Sequence, residues 1–256
     1  MSVDVVVLAG GRNGADMRAA TGVENRALMP LGDGTMLDYV TAALRRAASV
    51  RDIYVVGEVP AGTGYHTVSG GTTLLDNLMA GLREAGSGAG GEQVLISTSD
   101  IPFLTPEAVE DFLVSATQSG ADICCSYVPV EMCYARFPDM KRTAVKMREG
   151  QMTLGNLMLI NPQFLIANQV LITRAYDARK SPIQVARMLG AGLLIRLLLA
   201  QLLTPSLLTI GALENGVGRL LGGARAAGIR SEYPEIGTDV DKPADVAIAR
   251  RLLAGG

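Results

Sequence analysis

The sequence predicts an α/β protein built on a mainly parallel sheet with helices on both faces. Three observations carry that expectation. Short apolar runs alternate with helical periodicities through the front half of the chain. The 30 glycines are spread along the sequence and suit many tight strand–helix turns. Two strand ends carry special residues, Gly10-Gly11 after the first strand and Asp100 after the third.

The elements follow in order. Asp4–Leu8 reads as a buried strand running straight into a glycine-opened turn. Met36–Ala48 reads as a helix, with apolar positions at Leu37, Val40, Ala43 and Leu44. Ile53–Val56 is the second strand, closed by Gly57. Leu74–Ala85 is a helix, and Gly86–Gly91 is a glycine- and serine-rich loop. Val94–Thr98 is the third strand, ending at Ser99-Asp100-Ile101-Pro102. Thr105 caps the next helix, with Pro106 in its first turn and Glu107 after it. Ile123–Val128 is a fourth strand. Lys141–Ile160 reads as paired strands with a turn at Glu149-Gly150. Asn161–Gly223 is mostly helical and rich in leucine. The chain then returns through Tyr233–Asp241 to a final helix, Pro243–Leu253. The expected organisation is one domain over residues 1–256, carrying a helical insertion at about 161–223.

Composition excludes several classes. With 48% hydrophobic residues but 4% aromatics and no Trp, the core must be aliphatic and Met-rich. A net charge of −2 argues against a nucleic-acid binder, which would carry a basic footprint. Three cysteines, Cys124, Cys125 and Cys133, have neither zinc spacing nor a disulfide framework, and suit reduced thiols in a cytoplasmic protein. A single histidine, His66, argues against a His-based metal site or a Ser-His-Asp triad. No signal peptide is read at the N-terminus. Leu193–Ile210 is the most hydrophobic segment, but Arg196, Gln201 and Pro205 interrupt it, which argues against a stable membrane span. Its readings, in order, are a buried helix, a homodimer interface and a membrane-facing patch.

The chemistry gathers at strand ends. In an open α/β sheet, ligands bind at the carboxyl ends of strands. The Gly10-Gly11 turn offers backbone N–H groups as an anion nest. Arg12, Arg18 and Arg26 follow it and suit a polyphosphate. Asp100, Asp239 and Asp241 supply hard oxygen ligands of the kind that hold Mg²⁺ together with substrate phosphates. Each also has a plainer reading: Asp100 as a turn cap before Pro102, and Asp239 or Asp241 as an N-cap of the last helix. Arg142, Lys146 and Arg148 alternate with apolar residues and would share one face of a strand. They suit either an acceptor phosphate or the charge protection of an edge strand.

Four motifs in this order resemble the NTP-transferase superfamily. They are Leu8-Ala9-Gly10-Gly11, Asn25 to Leu31, Ser99 to Pro102, and Asp239 to Asp245. The chain is similar to molybdenum-cofactor guanylyltransferase-like nucleotidyltransferases, whose Rossmann-like fold is shared with type A glycosyltransferases. Gly70 to Leu82 also resembles the nucleobase-binding stretch of methylerythritol-phosphate cytidylyltransferases. The resemblance covers the front half and the last twenty residues, leaving the helical insertion outside it.

The resemblance implies roles. Leu8, Ala9, Gly10, Gly11 and Arg12 would line the nucleotide. Gly71, Thr72 and Asn77 would lie near base and ribose. Arg18 and Arg26 would reach the phosphates as catalytic cations, and Asp100 and Asp241 would bind Mg²⁺. The strand pattern, not the resemblance, adds Lys146 as a catalytic cation at the acceptor phosphate, with Arg142 and Arg148 as acceptor-binding residues. Arg26 stands where the family usually has Lys, which keeps the charge and changes the geometry. The implied reaction is Mg²⁺-dependent transfer of NMP from an NTP to a phosphorylated small molecule, releasing pyrophosphate. The Gly70–Asn77 similarity points to CTP and the wider guanylyltransferase-like motif set to GTP, with CTP narrowly favoured. The competing readings are a glycosyltransferase using Asp239-Val240-Asp241 as a DxD motif, and a nucleotide-binding module without catalysis.

Overall fold

A computed structural model describes residues 2–86, 93–178 and 191–254. Its strands are β1 (Val3–Leu8), β2 (Pro30–Leu31), β3 (Gly34–Thr35), β4 (Val50–Val56), β5 (His66–Val68), β6 (Val94–Thr98), β7 (Ile123–Pro129), β8 (Val145–Met147), β9 (Gly150–Ile160) and β10 (Ala226–Arg230). Between them run α1 (Ala15–Thr21), α2 (Met36–Arg46), α3 (Leu74–Ala85), α4 (Pro106–Ser119), α5 (Val130–Arg136), α6 (Pro162–Ala167), α7 (Gln169–Ala178), α8 (Ala191–Leu202), α9 (Ile210–Leu220) and α10 (Pro243–Leu253).

The apolar run Val5-Val6-Val7 makes β1 the fully buried centre of the sheet. The strand order is β10-β7-β9-β6-β1-β4-β5, with β8 paired onto β9. β1 pairs in parallel with β4 and β6, β4 with β5, and β7 with β10. β9 alone reverses direction inside the sheet, antiparallel to both β6 and β7. Because strand side chains alternate, β1 feeds two cores. Val5 and Val7 pack with Leu37, Val40 and Leu44 of α2 and Val109 and Phe112 of α4. Val6 packs on the other face with Leu75, Met79 and Leu82 of α3. This is the mainly parallel, Rossmann-like sheet with helices on both faces that the sequence predicts.

Local signals explain the helix starts. Thr35 and Thr73 each form a capping box with an Asp three residues on. Thr105 caps α4 with Pro106 following it. A third cluster joins distant parts of the chain: Met17 of α1, Met29, Leu31, Met36, Phe137, Met140, Val240, Val246 and Ala249. It seats the segment after Gly11 against α10.

Several expectations change. The strand pair in 141–160 is a hairpin, but β8 spans only Val145–Met147. Arg142 and Arg148 therefore lie outside it, and the three basic residues do not share a strand face. The half-buried Asp239 and the buried Asp245 hold the Arg142 guanidinium, and the Arg148 backbone N–H donates to Leu208 O at 2.9 Å. Neither Asp239 nor Asp241 caps α10; Lys242 occupies that position without a side-chain cap. The loop expected at Gly86–Gly91 lies, beyond Gly86, outside the described residues, as does the 179–190 part of the helical insertion.

α8 is amphipathic in its burial. Leu193 and Ala200 pack with Met147, Met152 and Leu208, while Ile195, Leu198 and Leu202 are exposed. No helix among the described residues is long and apolar enough to cross a membrane. Cys124 and Cys133 are buried, and burial pushes the Cys125 thiol up to about 11, so these are inert core thiols.

Candidate active site

The carboxyl ends of β1, β4 and β6 lie side by side, as their parallel registers require. Leu8, half-buried, ends β1, and the buried Ala9 continues its ladder by donating its N–H to Val56 O at 2.8 Å. Gly10 and Gly11 are exposed at the top of this edge.

Asn77 is the centrepiece of the glycine-turn side of this edge. It is buried on the first turns of α3, and its Oδ1 accepts the Gly71 N–H at 2.7 Å. A methyl group built on Gly10 would lie 2.3 Å from Asn77 Nδ2, and one on Gly70 would lie 2.6 Å from Asn77 Oδ1. Asn77 thus holds two glycine turns at backbone distance from one another. Thr72 Oγ1 donates to Asp76 Oδ2 at 3.3 Å, at the exposed start of the same helix. Hydrogen bonds from Thr73 and Thr72 hold the Asp76 carboxyl below its usual range.

Gly57, which the sequence marks only as a strand terminus, belongs to this group. Its φ is +148°, and a Cβ there would come within 2.7 Å of Ala9 backbone carbon. Backbone cannot yield as a side-chain tip can. Gly57→Ala is expected to cost about 1–3 kcal/mol and to lower the midpoint of thermal unfolding by several degrees. An unchanged melt would show that the Ala9–Gly10 turn moves freely.

Residues 11–26 fold into a closed excursion. Arg26 N donates to Gly11 O at 2.9 Å, Asn13 N to Glu24 O at 2.7 Å, and Arg12 bridges Asn25. Asn25 accepts from Ala27 N through its side chain and donates to Glu58 O. The expected trio of arginines separates. Arg12 pairs with Glu58 at 3.2 Å and Glu24 at 3.8 Å, and Arg18 pairs with Glu24 at 3.7 Å. These exposed pairs are weak and readily exchanged for a stronger anion. Arg26 turns inward and donates through Nη1 to Asp100 Oδ2 at 3.2 Å.

Asp100 meets the returning chain. Its backbone carbonyl accepts the Val240 N–H at 2.8 Å, which sets Asp239 and Asp241 beside it. Arg142, only 4% exposed, donates through Nη1 to both the backbone O and Oδ1 of Asp239, and its Nη2 lies 3.7 Å from Asp245 Oδ2. Burial pushes the Asp239 carboxyl up, Arg142 draws it back, and the charges of Asp100 and Asp241 push it up further. Asp245 is likewise raised by burial and eased by Arg142. Asp241 itself is exposed. Asp245 closes the last sequence motif, but its spacing from Arg142 is long and nothing in the sequence marks their pairing.

The unpartnered atoms are informative. Among the described residues, the buried side-chain polar atoms without a hydrogen bond are Asn13 Oδ1, Arg26 Nε, Thr98 Oγ1, Asp100 Oδ1, Arg142 Nε and Asp245 Oδ2. All belong to this sheet edge or the excursion beside it. Buried polar groups ordinarily find partners, so water or a polar ligand is needed to complete these atoms. No group of three or more His, Cys, Asp or Glu among the described residues converges to hold a metal alone. Asp100 and Asp241 instead suit Mg²⁺, which takes one or two carboxylates and completes its shell with phosphate oxygens and water.

Lys146 stands apart from this edge group. It lines a separate cavity with Tyr134 and Gln151, and Arg148 pairs with its neighbour Glu149 at 3.8 Å. The structure therefore brings together Leu8, Ala9, Gly10, Gly11, Gly71, Thr72 and Asn77 around the glycine turns, and Arg26, Asp100, Arg142 and Asp241 around the acids. It does not bring Arg142, Lys146 and Arg148 together on one surface.

A family model described as the MobA-like NTP transferase domain matches residues 5–188. A hypothetical transferase from Thermus thermophilus is 35% identical, with a TM-score of 0.79 over 96% of this chain and 100% of that one. The 2-C-methyl-D-erythritol 4-phosphate cytidylyltransferase of the same species shares the fold at 17% identity and a TM-score of 0.57, covering 99% and 100% of the two chains. CMP:2-keto-3-deoxy-manno-octonic acid synthetase, solved with CTP, shares it at 15% identity and a TM-score of 0.55, covering 99% of each. No curated protein matches the sequence.

Proposed function

Because the chain belongs to the MobA-like NTP transferase family, we propose that it transfers NMP from CTP to a phosphorylated small molecule and releases pyrophosphate. The reading rests chiefly on the cluster of unpartnered buried polar atoms around Asp100 and Arg26, next to the two glycine turns held by Asn77.

In this reading the N–H groups after Ala9 and the exposed guanidinium groups of Arg12 and Arg18 hold the triphosphate. Arg26 leaves Asp100 and moves to the phosphates. The acceptor's phosphate oxygen attacks the α-phosphorus in line; a P–O bond forms there as the bond to the β-phosphate breaks. The attacking oxygen is already anionic, so no general base is needed. Catalysis is positioning and charge neutralisation. Mg²⁺, held by Asp100 and Asp241, would supply the further positive charge on the phosphates.

CTP is preferred over GTP in this reading because Gly70–Asn77 resembles the nucleobase-binding stretch of cytidylyltransferases. Asn77 packs against both the Gly10 and Gly70 turns, and a small pyrimidine suits the close backbone approach that these glycines allow. The two fold relatives that act on or bind cytidine nucleotides support the same choice. The exposed Ile195, Leu198 and Leu202 of α8 suit a homodimer contact.

Calorimetric titration of each NTP with Mg²⁺, followed by pyrophosphate release with pools of sugar, cyclitol and alcohol phosphates, tests the proposal. GTP bound tenfold tighter than CTP, about 1.4 kcal/mol, would overturn the base assignment. Absence of pyrophosphate with every pool would overturn the transfer. Arg26→Lys is expected to keep most activity, and Arg26→Ala to lose about 10- to 100-fold, the worth of a charge-assisted contact. Parent-like turnover in Arg26→Ala would return Arg26 to a purely local ion pair.

A further inference from the structure

A cavity of about 510 Å³ opens where β7 ends and β9 begins. β9 runs against β7, with Pro129 opposite Met152, so its first residues stand at the same sheet edge as Asp100. Lys146, Glu131, Tyr134 and Gln151 supply the polar lining. Val130, Met147 and Pro205 supply the apolar part. Lys146 and Gln151 are direct cross-strand partners and share a face.

Two contacts tie this cavity to the rest of the molecule. Tyr134 Oη donates to Arg142 O at 3.4 Å, and Arg142 holds Asp239. On the other side, Gln201 of α8 makes both backbone hydrogen bonds of Lys146. Lys146 N donates to Gln201 Oε1 at 2.9 Å, and Gln201 Nε2 donates to Lys146 O at 3.0 Å. One amide side chain thus stands in for a neighbouring strand at the exposed edge of β8. Gln201 and Pro205 both lie beyond residue 188, where the family match ends.

We infer that this cavity takes the acceptor, a phosphomonoester of a small polyhydroxylated compound, and that Gln201 is the residue that positions Lys146 for it. The inference rests on the transferase reading given above. Lys146 is the one cation among the described lining residues and meets the phosphate as a point charge. Glu131, Gln151 and Tyr134 take hydroxyl groups, and the apolar residues cover the carbon skeleton. The volume lies within the range of small-ligand sites. Substrate choice would then reside in the leucine-rich segment that follows the family's shared part.

The test is titration of the full chain, in EDTA and with and without saturating CTP, with glycerol 3-phosphate, ribitol 5-phosphate, inositol 1-phosphate, glycerol and inorganic phosphate. At least one phosphomonoester is expected to bind tighter than both glycerol and phosphate. Lys146→Met should weaken it tenfold or more, and Gln201→Ala severalfold, with CTP affinity unchanged in both. Gln201→Glu, which retains only the acceptor atom, should fall between Gln201→Ala and the parent. Equal binding by Lys146→Met, or no preference over inorganic phosphate, overturns the inference while CTP binding leaves the transferase reading standing. Failure of every NTP to bind overturns that reading instead, and the phosphomonoester titration still reports on the cavity by itself. A Gln201→Ala variant indistinguishable from the parent removes the positioning role.

Discussion

Asp100→Ala is expected to lower nucleotidyl transfer at least a thousandfold, about 4 kcal/mol of barrier, while the protein stays folded. The fold survives because the structural work of this residue is done by its backbone carbonyl, which receives the Val240 N–H. Among the described residues its side chain hydrogen-bonds Arg26 alone, and Oδ1 has no partner. In the proposed reading the carboxylate is held available for Mg²⁺, and its loss removes that ligand together with the charge that pairs with Arg26. Asp100→Asn is the sharper comparison, since it keeps size and removes charge. Both variants should melt close to the parent and bind CTP measurably without metal. Turnover within tenfold of the parent would sink the assignment of Asp100 to the metal site.

Arg142→Ala is expected to have the largest effect on stability. The guanidinium is buried between Asp239 and Asp245. Removing one partner of a buried ion pair leaves uncompensated charge and costs about 3–5 kcal/mol. In a chain of this size that is a fall of roughly 10 °C in the thermal midpoint. The pH dependence follows from the carboxyls left behind. Burial already raises Asp239 and Asp245 above their ordinary range in the folded protein. A carboxyl raised on folding binds its proton more tightly when folded, so stability falls as pH rises from the ordinary carboxylate range through the raised value. Without Arg142 that window widens upward. Calorimetry in EDTA should therefore find part of the lost stability restored at pH 5 relative to pH 7.5. A variant equally unstable at both, or as stable as the parent, would contradict the buried-pair account.

The glycine-turn side of the site is legible in the sequence because its determinants are local. Gly10-Gly11 follows an unbroken valine strand, and Thr73 announces α3 three residues before Asp76. The element bounds of α3, β6 and α10 follow the periodicity and capping signals closely for the same reason. The acidic side is less legible. Arg142 looks like a member of a basic strand, because alternation with Thr143 and Val145 is all the local pattern offers. Its true partners lie about a hundred residues onward, and nothing in spacing marks them. Gly57 is similar: its role depends on how close Ala9 comes, which is a property of the sheet register. The reversed strand β9 carries a near-continuous apolar run that fits any interior strand, so its direction is set by topology alone.

The contact between Val240 and Asp100 has a consequence for how the protein comes into being. The central strands β1, β4 and β6 and their covering helices derive from the first hundred or so residues and can pack as they appear. Asp241, and the α10 surface that supports α1 and the excursion after Gly11, arrive more than a hundred residues later. Such long-range closure is slow, because distant segments must meet before their contacts repay the lost chain entropy. During synthesis, then, the emerging chain would pass through a state with an ordered sheet whose edge lacks its second acid and its floor. That state has the shape of the protein and none of its chemistry. A nascent chain stalled before Tyr233 is thus expected to resist proteolysis over β1 to β6 yet be cleaved between Gly11 and Arg26, whereas release of the full chain should protect both together.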